Sequence, residues 1–165
     1  MISVTSQRPA RVSVFQGPPS PAGPVLLGIS EQGALCRLGF LHGTSAAKIR
    51  AAWQKEWPQT TFVLSKEKRA RLPKDLLLVG SAFQLAVWQA LLTIPEGEIL
   101  TYGEMAALLG KPGAARAVGN ALGANPIPWR VPCHRICAAG GKIGGFSGGL
   151  DVKKLLLRAE GIAFR

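Results

Sequence analysis

Asn125-Pro126-Ile127-Pro128-Trp129-Arg130-Val131-Pro132-Cys133-His134-Arg135-Ile136 is the stretch from which the rest of the chain is read. Of three cysteines and two histidines in 165 residues, it places one of each side by side. Pro126, Pro128 and Pro132 fix the backbone φ ahead of the thiol, so the segment reads as a rigid irregular loop rather than a helix or central strand. With an imidazole and two guanidiniums beside it, the Cys133 thiol is expected to favour its ionised form. A nucleophile on rigid backbone is what covalent chemistry requires.

Composition narrows what such a nucleophile could meet. Hydrophobic residues make up 47% of the chain, enough for a packed core in one domain or two small ones. Twenty Lys and Arg against nine Asp and Glu give a net charge of +11, which favours a polyanionic partner, nucleic acid before an anionic membrane. No run is apolar and long enough to predict a transmembrane helix, and Met1–Ser6 does not read as a signal peptide. Three cysteines without framework spacing point to a reducing compartment, the cytoplasm. Cys36, Cys133, Cys137, His42 and His134 contain no Cys-x-x-Cys pair, so no metal and no cofactor is expected.

Upstream of the loop the chain changes texture near Gly80. Residues 1–11 read as a loose polar start. Val12–Phe15 predicts a short strand, and Val25–Ser30 with Ala34–Leu41 predicts a hairpin turning at Glu31-Gln32-Gly33. Thr44 or Ser45 caps a helix with Ala46, Ile49, Trp53 and Trp57 on one face and Pro58 as its stop. Thr61–Leu64 predicts another strand. The charged run 66–74 reads as a solvated linker. The expected organisation is a small α/β domain over 1–79, an antiparallel sheet plus a helix, then a mostly helical domain over 80–165.

In that second part, Ser81 with Gln84 and Thr101 with Glu104 form capping boxes. The first opens a helix with Phe83, Val87, Trp88 and Leu91 on one face. The second opens a helix over Tyr102–Leu109, which turns at Gly110-Lys111 into another beginning near Pro112 and ending before Gly123. Two short helices on a Gly-containing turn make a helix-turn-helix candidate, winged-helix-like in setting. Its second helix is built of Gly and Ala around one long cation, Arg116, a surface able to approach a groove closely. Glycine-rich residues 139–149 read as a loop that lets backbone approach a ligand. Asp151 is expected to cap a last helix with Leu155, Leu156 and Ala159 inward, ending at Glu160 and Gly161.

Helix-turn-helix, Asn-Pro loop, Val-Pro-Cys-His-Arg, glycine loop and a short helix ending in Glu occur in that order. From about Gly80 to Gly161 this closely resembles the O6-alkylguanine-DNA alkyltransferases (methylated-DNA–protein-cysteine methyltransferases). The segments 81–91 and 115–119 (Ala-Arg-Ala-Val-Gly) add to the likeness. The resemblance implies repair of duplex DNA containing O6-alkylguanine by a monomer that needs no cofactor and no membrane. The base would be flipped out and its alkyl group moved irreversibly to Cys133 in one turnover, and the same chemistry is open to O4-alkylthymine.

The resemblance also implies residue roles. His134 would draw off the thiol proton through a water, Glu160 would orient His134, and Asn125 would hold the acceptor turn. Tyr102 would donate to N3 of a guanine leaving as an anion. Arg116 would fill the gap left by the flipped nucleotide, with Ala115, Tyr102 and Gly119 also at the DNA. Ile136, Phe146, Ser147, Gly148 and Trp129 would line the substrate pocket. Phe146 stands where the family usually has tyrosine, and Trp129-Arg130 is bulkier than is common there. A lesion sensor of the alkyltransferase-like type shares the helix-turn-helix but lacks the acceptor, against which Cys133 stands. A cysteine hydrolase leaves the basic charge unused, and a transcription regulator leaves the Pro-Cys-His-Arg unused.

Overall fold

The computed structural model describes residues 1–164, the side chain of Lys68 excepted. It is an α/β protein with a mixed sheet and five α-helices, divided into two compact units, Met1–Gly80 and Ser81 onward.

The first unit is one six-stranded sheet with a helix against it. The strands are β1 (Ile2–Thr5), β2 (Arg11–Gln16), β3 (Val25–Ser30), β4 (Leu35–Phe40), β5 (Thr61–Arg69) and β6 (Leu76–Val79), and the helix is α1 (Ala46–Glu56). Their spatial order is β1-β6-β4-β3-β2-β5. The β3–β4 hairpin forms as its pattern predicts, with Gly33 in the turn at φ 82. The sheet is not antiparallel, however. β1–β6, β4–β6 and β2–β5 pair in parallel, so β3 alone runs against the other five. Two further corrections follow. The supposedly loose start contains β1, whose partner lies more than 70 residues away at Leu76–Val79. The charged run 66–74 begins as strand, because β2 carries β5 on to Arg69 past a shift in register.

Ser45 caps α1 by accepting from the Lys48 N–H. Trp53 and Trp57 then join Val12, Val14, Leu26, Cys36, Phe62 and Val79 in the core, with Ala46, Ile49 and Leu77 packed against it. Gly39 on β4 lets α1 come close, since a Cβ there would stand 2.7 Å from Ile49 Cγ2. The helix rests on the sheet only because that position is bare.

The second unit holds α2 (Ala82–Leu91), β7 (Leu100–Thr101), α3 (Tyr102–Leu108), α4 (Ala115–Gly123), β8 (Ile136–Cys137) and α5 (Leu150–Ala159). Both capping boxes form in full. α2 buries Val87, Trp88 and Leu91, and the Trp88 indole N–H donates to Ala121 O at 2.8 Å, fastening α2 to α4. α4 begins at Ala115 rather than near Pro112, because residues 111–114 are spent on a turn closed by Ala114 N–H to Lys111 O. α5 is capped by Gly149 at φ 93, with no side-chain bond from Asp151, which lies one turn inside. Its buried face is Val152, Lys153, Leu156 and Leu157, leaving Ala159 exposed. The two-residue strands β7 and β8 pair in parallel, Leu100 with Ile136 and Thr101 with Cys137. That short ladder sets the start of α3 beside the acceptor loop.

Candidate active site

The proline loop is folded around one side chain, Asn125. Its Oδ1 accepts from the Ile127 N–H at 3.0 Å, and its Nδ2 donates to Val131 O at 2.9 Å and to Cys133 Sγ at 3.1 Å. Trp129 sits at the apex with φ 76, a left-handed conformation costly for a bulky residue, and Pro128 and Val131 bridge beneath it. The chain then enters a 3-10 turn over Cys133–Arg135. The Asn-Pro start, the strained apex and the turn together point the thiol in one direction.

That direction is a cavity of about 150 Å³, a volume that suffices for a benzene-sized ring. It is lined by Cys133, Tyr102, Gly119, Leu122, Gly123, Gly145, Phe146 and Ser147. Tyr102, on the first turn of α3, crosses to the glycine loop. A Cβ at Gly144 would stand 3.1 Å from its hydroxyl, and the backbone there is at φ 74, so only glycine fits. Of the residues expected at the pocket, Phe146 and Ser147 are in its wall. Trp129, Ile136 and Gly148 are outside it, and Ile136 is fully buried. Arg116 and Ala117 lie exposed on α4, Ala115 is half-buried, and Gly119 faces the Tyr102 ring at 3.7 Å from a notional Cβ.

Behind the thiol lies a charge network. His134 is fully buried, and its Nε2 meets Glu160 Oε1 at 2.7 Å. Arg135 grips the same carboxylate through Nε at 3.0 Å and Nη2 at 2.9 Å, while its Nη1 donates to Ile94 O at 2.6 Å. Burial draws the Glu160 carboxyl upward, but the hydrogen bonds from Arg135 and His134 outweigh it and leave the group below the usual carboxylate range. An ionised Glu160 puts the imidazole proton on Nε2. His134 Nδ1 is then the basic nitrogen, and it is buried with no hydrogen-bond partner among the described residues. Burial also draws the imidazole below its ordinary value, so it rests neutral and ready to take a proton.

The thiol differs from what the sequence suggests. Burial pushes Cys133 up to about 11, against the opposing pull of the Asn125 N–H and the Lys153 charge. At neutral pH it rests as a thiol, and neither neighbouring guanidinium is the cation that bears on it. That cation is Lys153, which sequence reasoning passed over. Its side chain is fully buried, with Nζ donating to Ile136 O at 2.6 Å and to Gly145 O at 3.0 Å. The signal was present: Lys153 stands four residues before Leu157 and three before Leu156, on the apolar stripe of α5. Among the described residues no cluster of three or more His, Cys, Asp or Glu is placed to hold a metal ion. No helix among them is long and apolar enough to cross a membrane.

A buried thiol opening on a ring-sized cavity, backed by a neutral His–carboxylate pair, defines a protein that transfers a group to its own cysteine. Comparison with known proteins agrees. The family model described as "6-O-methylguanine DNA methyltransferase, DNA binding domain" matches residues 82–162. A methylated-DNA–protein-cysteine methyltransferase of Methanosarcina barkeri is 43% identical over 147 residues, covering 86% of this chain and 92% of its own. One from Mycolicibacterium paratuberculosis is 58% identical over 86 residues, 52% of each chain. Among solved structures, Mycobacterium tuberculosis OGT in complex with DNA superposes with a TM-score of 0.67 at 36% identity, covering 91% of this chain and 93% of that one. The chain belongs to the methylated-DNA–protein-cysteine methyltransferase family.

Proposed function

We propose that this chain is a single-turnover DNA-repair methyltransferase that takes the alkyl group from O6 of guanine onto Cys133. α3 and α4 act as a helix-turn-helix on duplex DNA, with the small face of α4 close to the backbone and the exposed Arg116 entering the stack as the damaged nucleotide turns out. The extruded base occupies the cavity lined by Cys133, Tyr102, Gly145, Phe146 and Ser147. The Cys133 proton passes toward Nδ1 of His134, whose charge Glu160 compensates. Sulfur bonds the alkyl carbon, the carbon–O6 bond breaks, and the guanine anion is met by the Tyr102 hydroxyl and takes up a proton. The thioether is stable, so the protein is spent after one event.

The observation that carries this reading is the convergence of thiol, neutral imidazole and tyrosine on one cavity beside an exposed arginine on an Ala/Gly helix. Single-turnover rates on a duplex with one O6-methylguanine test it. Tyr102→Phe is expected to slow transfer by about 100-fold, the cost of a lost donor to developing charge. Arg116→Ala is expected to slow the duplex reaction roughly tenfold while leaving reaction with free O6-methylguanine base unchanged. Unchanged duplex rates for Arg116→Ala would remove it from base extrusion.

A further inference from the structure

Lys153 is buried without an acid to balance it. Removing an ammonium from water costs several kcal/mol unless a counter-charge is near, yet among the described residues both of its hydrogen-bond partners are neutral carbonyls and none of the ion pairs includes it. Those carbonyls belong to two different walls of the site. Ile136 follows the acceptor turn, and Gly145 lies on the glycine loop and lines the cavity. The acidic groups that bear on the ammonium are the thiols of Cys133 and Cys137, both of which favour its charged form. Burial draws it the other way.

We infer that Lys153 is a positioning residue for alkyl transfer: its ammonium fastens the glycine loop to the acceptor turn and supplies the positive charge against which Cys133 ionises. The inference rests on the reading of Cys133 as the acceptor and deepens it. A lysine stem reaching from α5 holds Gly145 at a fixed depth behind the base site, and the same ammonium is the counter-ion of the nascent thiolate. When sulfur bonds carbon its charge disappears and the counter-charge is again unbalanced, so the ammonium assists ionisation and not the product. The other titratable groups around the thiol are His134 beside it, Tyr102 across the cavity and Cys137 on β8. None of them is a permanent cation.

The test compares the wild type with Lys153→Gln, Lys153→Met and Lys153→Arg, all in a Cys36→Ala, Cys137→Ala background that leaves one thiol. Wild-type transfer of a methyl group from lesion duplex to Cys133 is checked first; its absence would defeat the acceptor reading and not the role of Lys153. The rate of Cys133 modification by iodoacetamide is then followed against pH, a readout that needs no DNA. The Gln and Met variants are expected to shift the profile upward by about one unit and to lower the rate at pH 8 about tenfold, with Arg restoring most of it. Gln retains a donor for one carbonyl, so it serves if Met does not fold. If the Gln variant keeps the wild-type profile while only the DNA reaction slows, Lys153 is a structural staple and the inference is overturned.

Discussion

Each unit buries a cysteine beside a cation, and only one of the two is built to react. Cys36 on β4 is fully buried and donates its S–H to Gly28 O at 3.4 Å, so the hydrogen bond favours the thiol. Its neighbour Arg37 is already committed, at 2.7 Å from Glu56 and stacked over Trp53 and Trp57 at 5.4 and 5.0 Å. Burial therefore pushes Cys36 up to about 12. Cys133 accepts from Asn125 instead of donating, faces an ammonium with no carboxylate partner, and opens on a cavity. It is raised only to about 11. Burial next to a positive charge does not by itself activate a thiol. The direction of the hydrogen bond, the commitments of the cation and access for an electrophile decide it.

The sharpest way to break the contrast is to make Cys133 resemble Cys36. Asn125→Ala removes the donor to sulfur and the two bonds that close the loop, and strands Val131 O and Ile127 N. At about 1–3 kcal/mol for each buried group left unsatisfied, single-turnover methyl transfer should fall about 100-fold or more. A loss of only two- or threefold would mean the loop is held by its prolines alone.

The two carboxylates that serve the cations separate next. Glu160 is 10% exposed and holds both Arg135 and His134, whereas Glu56 is 57% exposed and holds Arg37 alone. Glu160→Gln should cost about 3 kcal/mol, as for one partner removed from a buried pair. Glu56→Gln should cost under about 1 kcal/mol. Urea titrations of both variants measure this. The pH dependence follows the same residue. Because the folded Glu160 carboxyl lies below its unfolded value, its contribution is full above the unfolded pKa of about 4.3 and is lost as pH falls through the folded value. Wild type should lose that stability in acid, and Glu160→Gln should lack that component.

How far these differences were legible in the sequence depends on whether their causes are local. Capping boxes, the β3–β4 hairpin and the acceptor loop are set by residues within about ten positions of each other, and all form where the pattern puts them. β1 and β6 are four residues each and exist because they pair across the unit, which no local period reveals. The strand through Arg69 is held by β2 despite its charges. At the site, Cys133, His134 and Glu160 were readable from motif and resemblance. Lys153 was not, because a lysine on a helix reads as a solvated charge until its stripe is counted. The protonation of Cys133 also escaped, since neighbours in sequence stood in for neighbours in space: Arg135 is spent on Glu160, and Lys153 comes from α5.

The smallest expected effect is on the inert thiol. Cys36→Ala should cost about 1–2 kcal/mol of stability as a small cavity and leave the transfer rate within about twofold of wild type. A large loss of transfer would give Cys36 a part that its hydrogen bond to Gly28 does not suggest.

The most direct measurement is peptide-level mass mapping of all three cysteines after mixing the protein with one equivalent of duplex DNA bearing a single O6-methylguanine. The account predicts a gain of one methylene, about 14 Da, on the Cys133 peptide alone, reaching one per protein and absent in Cys133→Ala. Methyl groups shared with Cys36 or Cys137, or tight lesion binding with no gain in mass, would contradict it.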